Sequence, residues 1–395
     1  MTGGPILADV CTAIVDCEHK TAPVDPHGEY FAVGTPAMRG NRINFADARR
    51  VSRETFEAWT RRLSPQEGDL LFAREAPVGP VVKIPPELNV APGQRTVLLR
   101  PDPRRLDSGY AYYLLASPSQ QARLLAKAEG STVPHLNVAD VRSFELPPLP
   151  PVNVQRGIAA TLGALDDKIE SNRRIQSQVL DLADAHYRDA CSHASTALPL
   201  KDVGRWLSGG TPSTSNAEYW GGTLPWVSAA SMKTVFLRSS DRNLTPSGAE
   251  AATNIVPVGT ILFVVRGMSL KSEFRLGIAQ REMAFGQDCK AIIPNISPSV
   301  LVVALQASRS LILDLVDEAG HGTGRLPTDR LEKFVINVPT CSTFAPLADS
   351  LLARGAAAAE ESDVLTRLRD LLLPELLSGR LPVPEAKEAV AEVGA

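Results

Sequence analysis

The clearest pattern in this chain is a pair of long stretches in which apolar residues recur at steps of three and four. In the first, Ile158, Leu162, Leu165, Ile169, Asn172, Ile175, Val179, Leu182 and His186 trace an a/d seam over several heptads. The other face is charged, with Asp166, Asp167, Lys168, Glu170, Arg173 and Arg174, and Glu170 and Arg174 stand in the favourable i,i+4 order. The stretch follows the prolines Pro147, Pro148, Pro150 and Pro151. A helix of about 40 residues would span ~60 Å, and few helices of that length stand without a partner. The second stretch follows Pro339 and carries Phe344, Leu347, Leu351, Ala358, Leu365, Leu368 and Leu372. Its seam is thinner: residues 354–359 read RGAAAA, and Gly355 costs a helix ~1 kcal/mol relative to Ala. The shared period predicts that the two helices pair antiparallel; the alternative is two independent amphipathic helices, each lying on its own domain. Asn172 either fixes the register of that seam or faces solvent at its edge.

Between the helices the pattern shortens to strand-like runs, and these runs repeat. Residues 67–72 (EGDLLF) match 258–263 (VGTILF), each a turn entering a buried strand, with Arg74 and Arg266 soon after. Gly130, Ser131, Thr132 and Leu136 resemble Gly322, Thr323, Gly324 and Leu326. The segment starts match too (LADV at 7–10, LKDV at 200–203), as do the exits FELP at 144–147 and FVIN at 334–337. Runs such as 80–84 and 291–293 suit strands, while 109–129, broken near Pro118, and 298–319 suit helices. A period of about 190 residues is too long for a solenoid and marks a duplicated domain-plus-helix unit. The predicted fold is α+β: two mixed domains related by an internal repeat and separated by two long helices pairing as an antiparallel coiled coil. The boundaries read 1–150, first domain; 151–197, central helix; 198–340, second domain; 341–381, distal helix; and 382–395, flexible tail.

Composition changes this picture little. The N-terminus lacks a signal-peptide pattern and no apolar run is long enough to span a membrane, which predicts a soluble cytoplasmic protein. Cys11, Cys17, Cys191, Cys289 and Cys341 are scattered and odd in number, which argues against a disulfide framework. Cys11, Cys17 and His19 read as idle groups and not as a metal site. The net charge of −3 excludes a protein that coats nucleic acid by charge alone. The two large segments are near neutral, and the acidic excess lies beyond residue 340. No phosphate-binding loop, serine-hydrolase elbow or Asn-Pro-Pro-aromatic run occurs. Asp16, Glu18 and Lys20 form an E-x-K fragment of the kind found in metal-dependent nucleases, a triplet common by chance.

Residues 165–174 (LDDKIESNRR) resemble the central helix of the specificity subunits of type I restriction–modification systems. Residues 371–381 (LLLPELLSGRL) resemble the end of one of that family's long helices. Residues 68–79 (GDLLFAREAPVG), 208–213 (SGGTPS), 218–220 (EYW) and Pro225-Trp226 are similar to its recognition domains. The resemblance covers roughly residues 7–381 and implies a non-catalytic subunit that recognises a bipartite site in double-stranded DNA. It further implies helices that set the spacer, two methyltransferase (modification) subunits docking on them, and a restriction subunit. No cofactor is implied for this chain; S-adenosylmethionine, ATP and Mg would belong to the partners. The Ala-rich distal helix departs from the family pattern. Two alternatives stay open: a stand-alone metal-dependent endonuclease and a protein–protein scaffold without a DNA role.

Reading bases takes paired donors and acceptors, whereas phosphates take cations or N–H groups. Residues 39–62 carry a local excess of arginine: Arg39, Arg42, Arg49, Arg50, Arg53, Arg61 and Arg62 against Asp47, Glu54 and Glu57. Within it Arg39, Asn41 and Arg42, in a Gly-containing loop, are the preferred base readers, followed by Lys20 and Thr21. Arg74 is either a DNA contact or half of an ion pair with Glu75 or another acid. In the second domain Thr211 and Ser213 offer hydroxyls from a turn, and Lys233, Arg266, Lys271 and Arg275 are the cations expected to face DNA. Tyr219, Trp220 and Trp226 read as core. The helix-pair seam is assigned to Ile158, Leu162, Leu165, Ile169, Asn172, Val179, Leu351, Leu365 and Leu368. No catalytic or metal-binding residue is assigned.

Overall fold

The computed structural model describes residues 3–394 apart from 88, 131–132 and 320–322. The chain forms two compact units, Met1–Asp167 with Leu365–Ala395, and Lys168–Val364.

In the first unit a continuous apolar run makes Leu70–Arg74 a strand buried on both faces. It lies between Val78–Lys83 and Thr96–Pro101, with Cys11–Asp16 at the far edge, and every neighbour is antiparallel. A smaller sheet sets Tyr30–Val33 antiparallel to Arg49–Val51 and parallel to Val90–Pro92. The helix Ser108–Ala116 begins where the Asp107 carboxylate accepts from the Tyr110 N–H, and Pro118 starts the next helix, Pro118–Lys127.

The second unit repeats this plan about 190 residues later. Its main sheet places Leu276–Ala279, Ile261–Val264, Cys289–Pro294 and Gly204–Ser208 in the same order, again antiparallel, and adds Phe236–Leu237 beyond Leu276–Ala279. Its smaller sheet sets Trp220–Val227 parallel to Met283–Phe285 and antiparallel to Asn243–Leu244. Gly68 and Gly259 enter the equivalent buried strands with φ of +89° and +83°, a conformation that L side chains rarely adopt. Each unit also ties its start to its end: the Leu7 N–H donates to the Phe144 carbonyl, and the Leu200 N–H to that of Phe334. Of the repeated glycine–hydroxyl runs, Ser131, Thr132 and Gly322 lie outside the described residues. The segment predicted as one helix at 298–319 is Pro298–Ala307, Arg309–Leu313 and the strand Asp317–Ala319.

The long helices are Val152–His193 and Phe344–Leu377. In the first unit the early residues of one meet the late residues of the other, Arg369 Nη1 donating to Asp166 Oδ1 at 2.8 Å. In the second unit the late residues of one meet the early residues of the other, with the Tyr187 and Phe344 rings 5.8 Å apart. The pair is therefore antiparallel. Ile158, Leu162, Leu165, Ile169, Asn172, Val179 and Leu365 are buried, whereas Leu351 and Leu368 are half-buried.

The seam departs from the heptad reading beyond Val179. Leu182 is 47% exposed and His186 is exposed, and the buried positions are Ala183 and Tyr187. Steps of four turn this end of the helix toward the domain core, where the Tyr187 hydroxyl donates to the Asn337 carbonyl at 2.6 Å. On the distal helix Ala348 and Leu352 are buried instead of Leu347 and Leu351. The central helix ends at His193, short of the expected boundary at 197, and Ser195–Pro199 pairs as a strand with Val335–Pro339. The predicted flexible tail is a helix, Val383–Gly394, because Gly157 leaves room for Val383 and Ala386 is fully buried.

Candidate nucleic-acid interface

In the second unit three segments converge on one surface. Arg266–Gly267 pairs antiparallel with Thr323–Arg325, which pairs antiparallel with Asp317–Ala319. The Leu270 side chain packs on Gly324, so the short helix Met268–Lys271 lies on this sheet. The loop following Val227 joins it, since Ala229 lies against Gly267 and its carbonyl accepts from Arg275 Nη1 at 3.4 Å. That loop is closed by Ser228 and Ser231, each hydroxyl accepting the other's N–H at 3.1 and 2.8 Å. Lys233, Arg266 and Lys271 are exposed on these segments. Arg275 is not free: its Nε donates to Glu273 Oε2 at 2.8 Å.

Directly opposite residues in a sheet share a face, so Arg266 stands beside Arg325, an exposed cation that sequence reasoning missed. Asp317 completes the row and is held by Arg330 at 2.7 Å. The repeat could have revealed this row, had its register been read correctly. The Leu136 N–H donates to the Arg74 carbonyl and the Leu326 N–H to that of Val265, so Arg266 is the counterpart of Glu75 and not of Arg74.

The turn carrying Thr211 and Ser213 rests on two tryptophans. Trp226 Nε1 donates to the Gly210 carbonyl and Trp220 Nε1 to that of Ser213, each at 3.0 Å. The two rings meet edge to face, and the Arg242 guanidinium lies 3.4 Å from the Trp220 ring centre. The tryptophans thus brace the turn from below. Thr211 is half-buried and Ser213 exposed, its hydroxyl 2.8 Å from that of Ser215.

The first unit distributes its cations differently. Arg74, 11% exposed, is held at 3.4 Å from Asp16 Oδ1 and donates to the Leu136 carbonyl, while Glu75 pairs with Arg95 at 3.3 Å. Arg61 and Arg62 both face Glu18, and Arg53 pairs with Glu57. The apparent arginine patch is therefore largely divided among local acids. Two expected base readers turn inward. The Asn41 side chain accepts the Val81 N–H at 3.0 Å, and Arg42 lies 3.6 Å from Asp166 of the central helix. This follows from the left-handed backbone at Gly40 and Asn41, with φ of +61° and +57°. Lys20 and Arg39 remain exposed, Arg39 only 4.0 Å from Asp47. The Thr21 hydroxyl donates to Gln94 Oε1 at the mouth of a cleft of about 180 Å³ that Arg49 and Arg95 also line.

Asp16 and Glu18, the carboxylates of the E-x-K fragment, both face arginines, and His19 Nε2 adds a contact to Asp16 at 2.8 Å. Among the described residues no group of three or more His, Cys, Asp or Glu is placed to hold a metal ion. All five cysteines are unpaired, and burial pushes the Cys11 thiol up to about 12. No helix is long and apolar enough to cross a membrane among the described residues.

Asp166 is the polar centre of the first unit. It accepts from the Tyr113 hydroxyl at 2.7 Å and from Arg369 at 2.8 Å, beside a cavity of about 760 Å³ that Tyr112, Pro118 and Leu373 also line. Burial pushes the Tyr113 hydroxyl well above its ordinary value, and the Asp166 charge adds to the effect. Gln155, fully buried, fixes where the central helix leaves the domain: its amide donates to the Arg105 and Pro150 carbonyls, and its oxygen accepts the Asp107 N–H. Sequence reasoning missed this residue, since a lone Gln on a helix carries no signal.

A family model, the Type I restriction modification DNA specificity domain, matches residues 28–181. The chain is 29% identical over 144 residues to the Type I restriction enzyme EcoR124I/EcoR124II specificity subunit of Escherichia coli, covering 35% of this chain and 36% of that protein. It is 28% identical over 191 residues to the Type I restriction enzyme HindI specificity subunit of Haemophilus influenzae, covering 46% and 40%. The matched region is thus about two fifths or less of either relative's length. Among solved structures, the Type-I restriction-modification system S subunit from M. genitalium superposes with a TM-score of 0.54 at 18% identity, over 94% of this chain and 95% of that one. At that identity the likeness is one of fold.

Proposed function

We propose that this chain, which carries a type I restriction modification DNA specificity domain in residues 28–181, is the non-catalytic subunit that reads DNA sequence for a methyltransferase and endonuclease. The observation that carries the reading is the duplicated strand order, two recognition units of one topology built onto one antiparallel helix pair. Two such readers fit a bipartite site in double-stranded DNA. In the second unit Thr211, Ser213, Lys233, Arg266 and Lys271 would face the duplex; in the first, Lys20, Thr21 and Arg39 would do so. The paired helices would set the spacer and offer their outer faces to two modification subunits, with a restriction subunit joining that assembly. S-adenosylmethionine, ATP and Mg would be bound by those partners in the cytoplasm.

Mapping methylated bases in the source organism, with and without this gene, tests the reading. A motif of two short half-sites around a fixed gap, lost on deletion, is the expected result; a continuous motif or an unchanged methylome would overturn it. Inserting four residues into both long helices adds about 6 Å to each. The gap should lengthen while both half-sites stay the same, and an unchanged gap would remove the helices from the measuring role.

A further inference from the structure

We propose that the row of Arg266 and Arg325 is a phosphate clamp without a counterpart in the first unit, so that the second unit carries the larger share of the salt-sensitive DNA binding. The inference rests on the DNA-reading function proposed above and adds a division of labour between its two readers.

Three observations converge. Two guanidinium groups directly opposite each other on a sheet repel, and such pairs destabilise the strands that carry them. Among the described residues no ion pair to either arginine relieves them: Asp317, in the same row, is engaged by Arg330, and Glu318 points to the opposite face because successive strand residues alternate. The Asp288 backbone carbonyl accepts from the Val265 and Arg266 N–H groups, and among the described residues no ion pair joins its carboxylate to the row. Exposed Lys271 and Lys233 stand on the segments packed against the same sheet. An anion with several oxygens would offset this repulsion, and the regularly spaced phosphates of a duplex supply such anions.

The equivalent row in the first unit has the opposite character. Glu75 and Glu129 each bridge to His135, and Glu75 is already paired with Arg95. That row has the Glu75 carboxylate at the place of Arg266 and the His135 imidazole at the place of Arg325, so neither of its two positions holds a guanidinium group. It would meet phosphate unfavourably and is suited to donors such as the amino groups of bases.

The test is the salt dependence of binding of the full chain to a fluorescent random-sequence duplex. The Arg266→Gln/Arg325→Gln variant should reduce the slope of log affinity against log KCl by about 1.8, from two lost phosphate contacts. Arg53→Gln/Arg104→Gln removes the same net charge from exposed, acid-paired positions of the first unit and should leave the slope unchanged. Relieving a repulsive pair should not lower the melting temperature, whereas losing a structural pair would. An unchanged slope in the first variant, or an equal drop in both, overturns the clamp. If selection from random DNA yields a bipartite motif but the slope does not move, the clamp alone fails. If the slope moves but no motif emerges, the sequence-reading function fails and the clamp stands.

Discussion

The two units share a strand order but not an interior. In the first, Asp69 is fully buried and grips Arg100 through both carboxylate oxygens, at 2.8 and 2.7 Å, while also accepting the Gln66 N–H. At the same place in the second unit, one residue after the left-handed glycine, stands Thr260, whose hydroxyl donates to the Pro257 carbonyl at 2.8 Å. The glycine turn and the apolar strand behind it recur; the buried polar group does not. What the fold requires here is a satisfied polar group, and an ion pair or a hydroxyl serves equally. The same freedom extends to the surface, where Glu75, His135 and Glu129 of one unit are answered by Arg266, Arg325 and Asp317 of the other. The surface thus changes sign while its scaffold persists.

The sharpest way to break this comparison is to remove the buried acid. Asp69→Ala strands the Arg100 guanidinium and should cost about 3 kcal/mol or more of unfolding free energy in urea. Thr260→Val, which removes one neutral hydrogen bond and keeps the shape, should cost about 1 kcal/mol. Equal losses at the two positions would mean that the ion pair contributes no more than the hydroxyl, and the two interiors would be energetically alike.

The halves of the helix pair differ in the same spirit. In the first unit the distal helix buries Leu365, Leu372 and Leu376; in the second it buries Phe344 and Leu352 together with the small residues Ala348, Gly355, Ala358 and Ala359. A Cβ at Gly355 would lie 2.2 Å from Phe236 and 2.9 Å from Val179. The glycine is thus a point of close approach and not a weakness in the helix. Gly355→Ala should destabilise the protein by about 1–3 kcal/mol through overpacking, despite its gain in helix propensity. Trimming the buried neighbour in Gly355→Ala/Phe236→Leu should recover part of that loss. A stabilised single variant in thermal melts would show that the contact is loose.

How far the sequence could be read follows from these cases. The repeat, the strand-entering turns and both long helices were legible because they rest on apolar periodicity and glycine, which report local geometry. The seam failed beyond Val179 because a heptad count assumes that the helix keeps facing its partner, whereas Ala183 and Tyr187 turn toward the domain core. The tail failed because Val383 finds its partner, Gly157, on the central helix, far away in sequence, and Ala386 is buried with it. Charged residues were least legible. Arg42 and Arg74 looked like ligand-facing cations, but their environment is set by Asp166 and Asp16, which no local pattern links to them. Arg325 was missed for the converse reason: its exposure and its like-charged neighbour arise only when two distant strands pair.

The smallest expected effect separates the two polar nodes of the helix pair. In the first unit Asp166 is tied to Tyr113 and Arg369; in the second Asn172 is fully buried and donates to Glu361 Oε2 at 2.8 Å, with Lys168 at 3.2 Å from the other oxygen. Burial alone would raise the Glu361 carboxyl, but the hydrogen bonds from Asn172 and Lys168 outweigh it and hold the group below its ordinary value. A carboxyl with a depressed folded-state pKa contributes its full stability above the unfolded value, near about 4.3, and loses it as pH falls through the folded value. Glu361→Gln should therefore flatten the acid limb of the stability profile below about pH 4, by no more than about 1 kcal/mol for a partly solvated pair. Adding Asn172→Leu to that variant should restore or raise the melting temperature at neutral pH, since the Asn172 carbonyl oxygen has no hydrogen-bond partner where it is buried. Parallel acid limbs for parent and Glu361→Gln would show that Glu361 takes no part in the acid response. A lower melting temperature in the double variant would show instead that the asparagine is worth its burial, as a residue holding the second unit's helices in register.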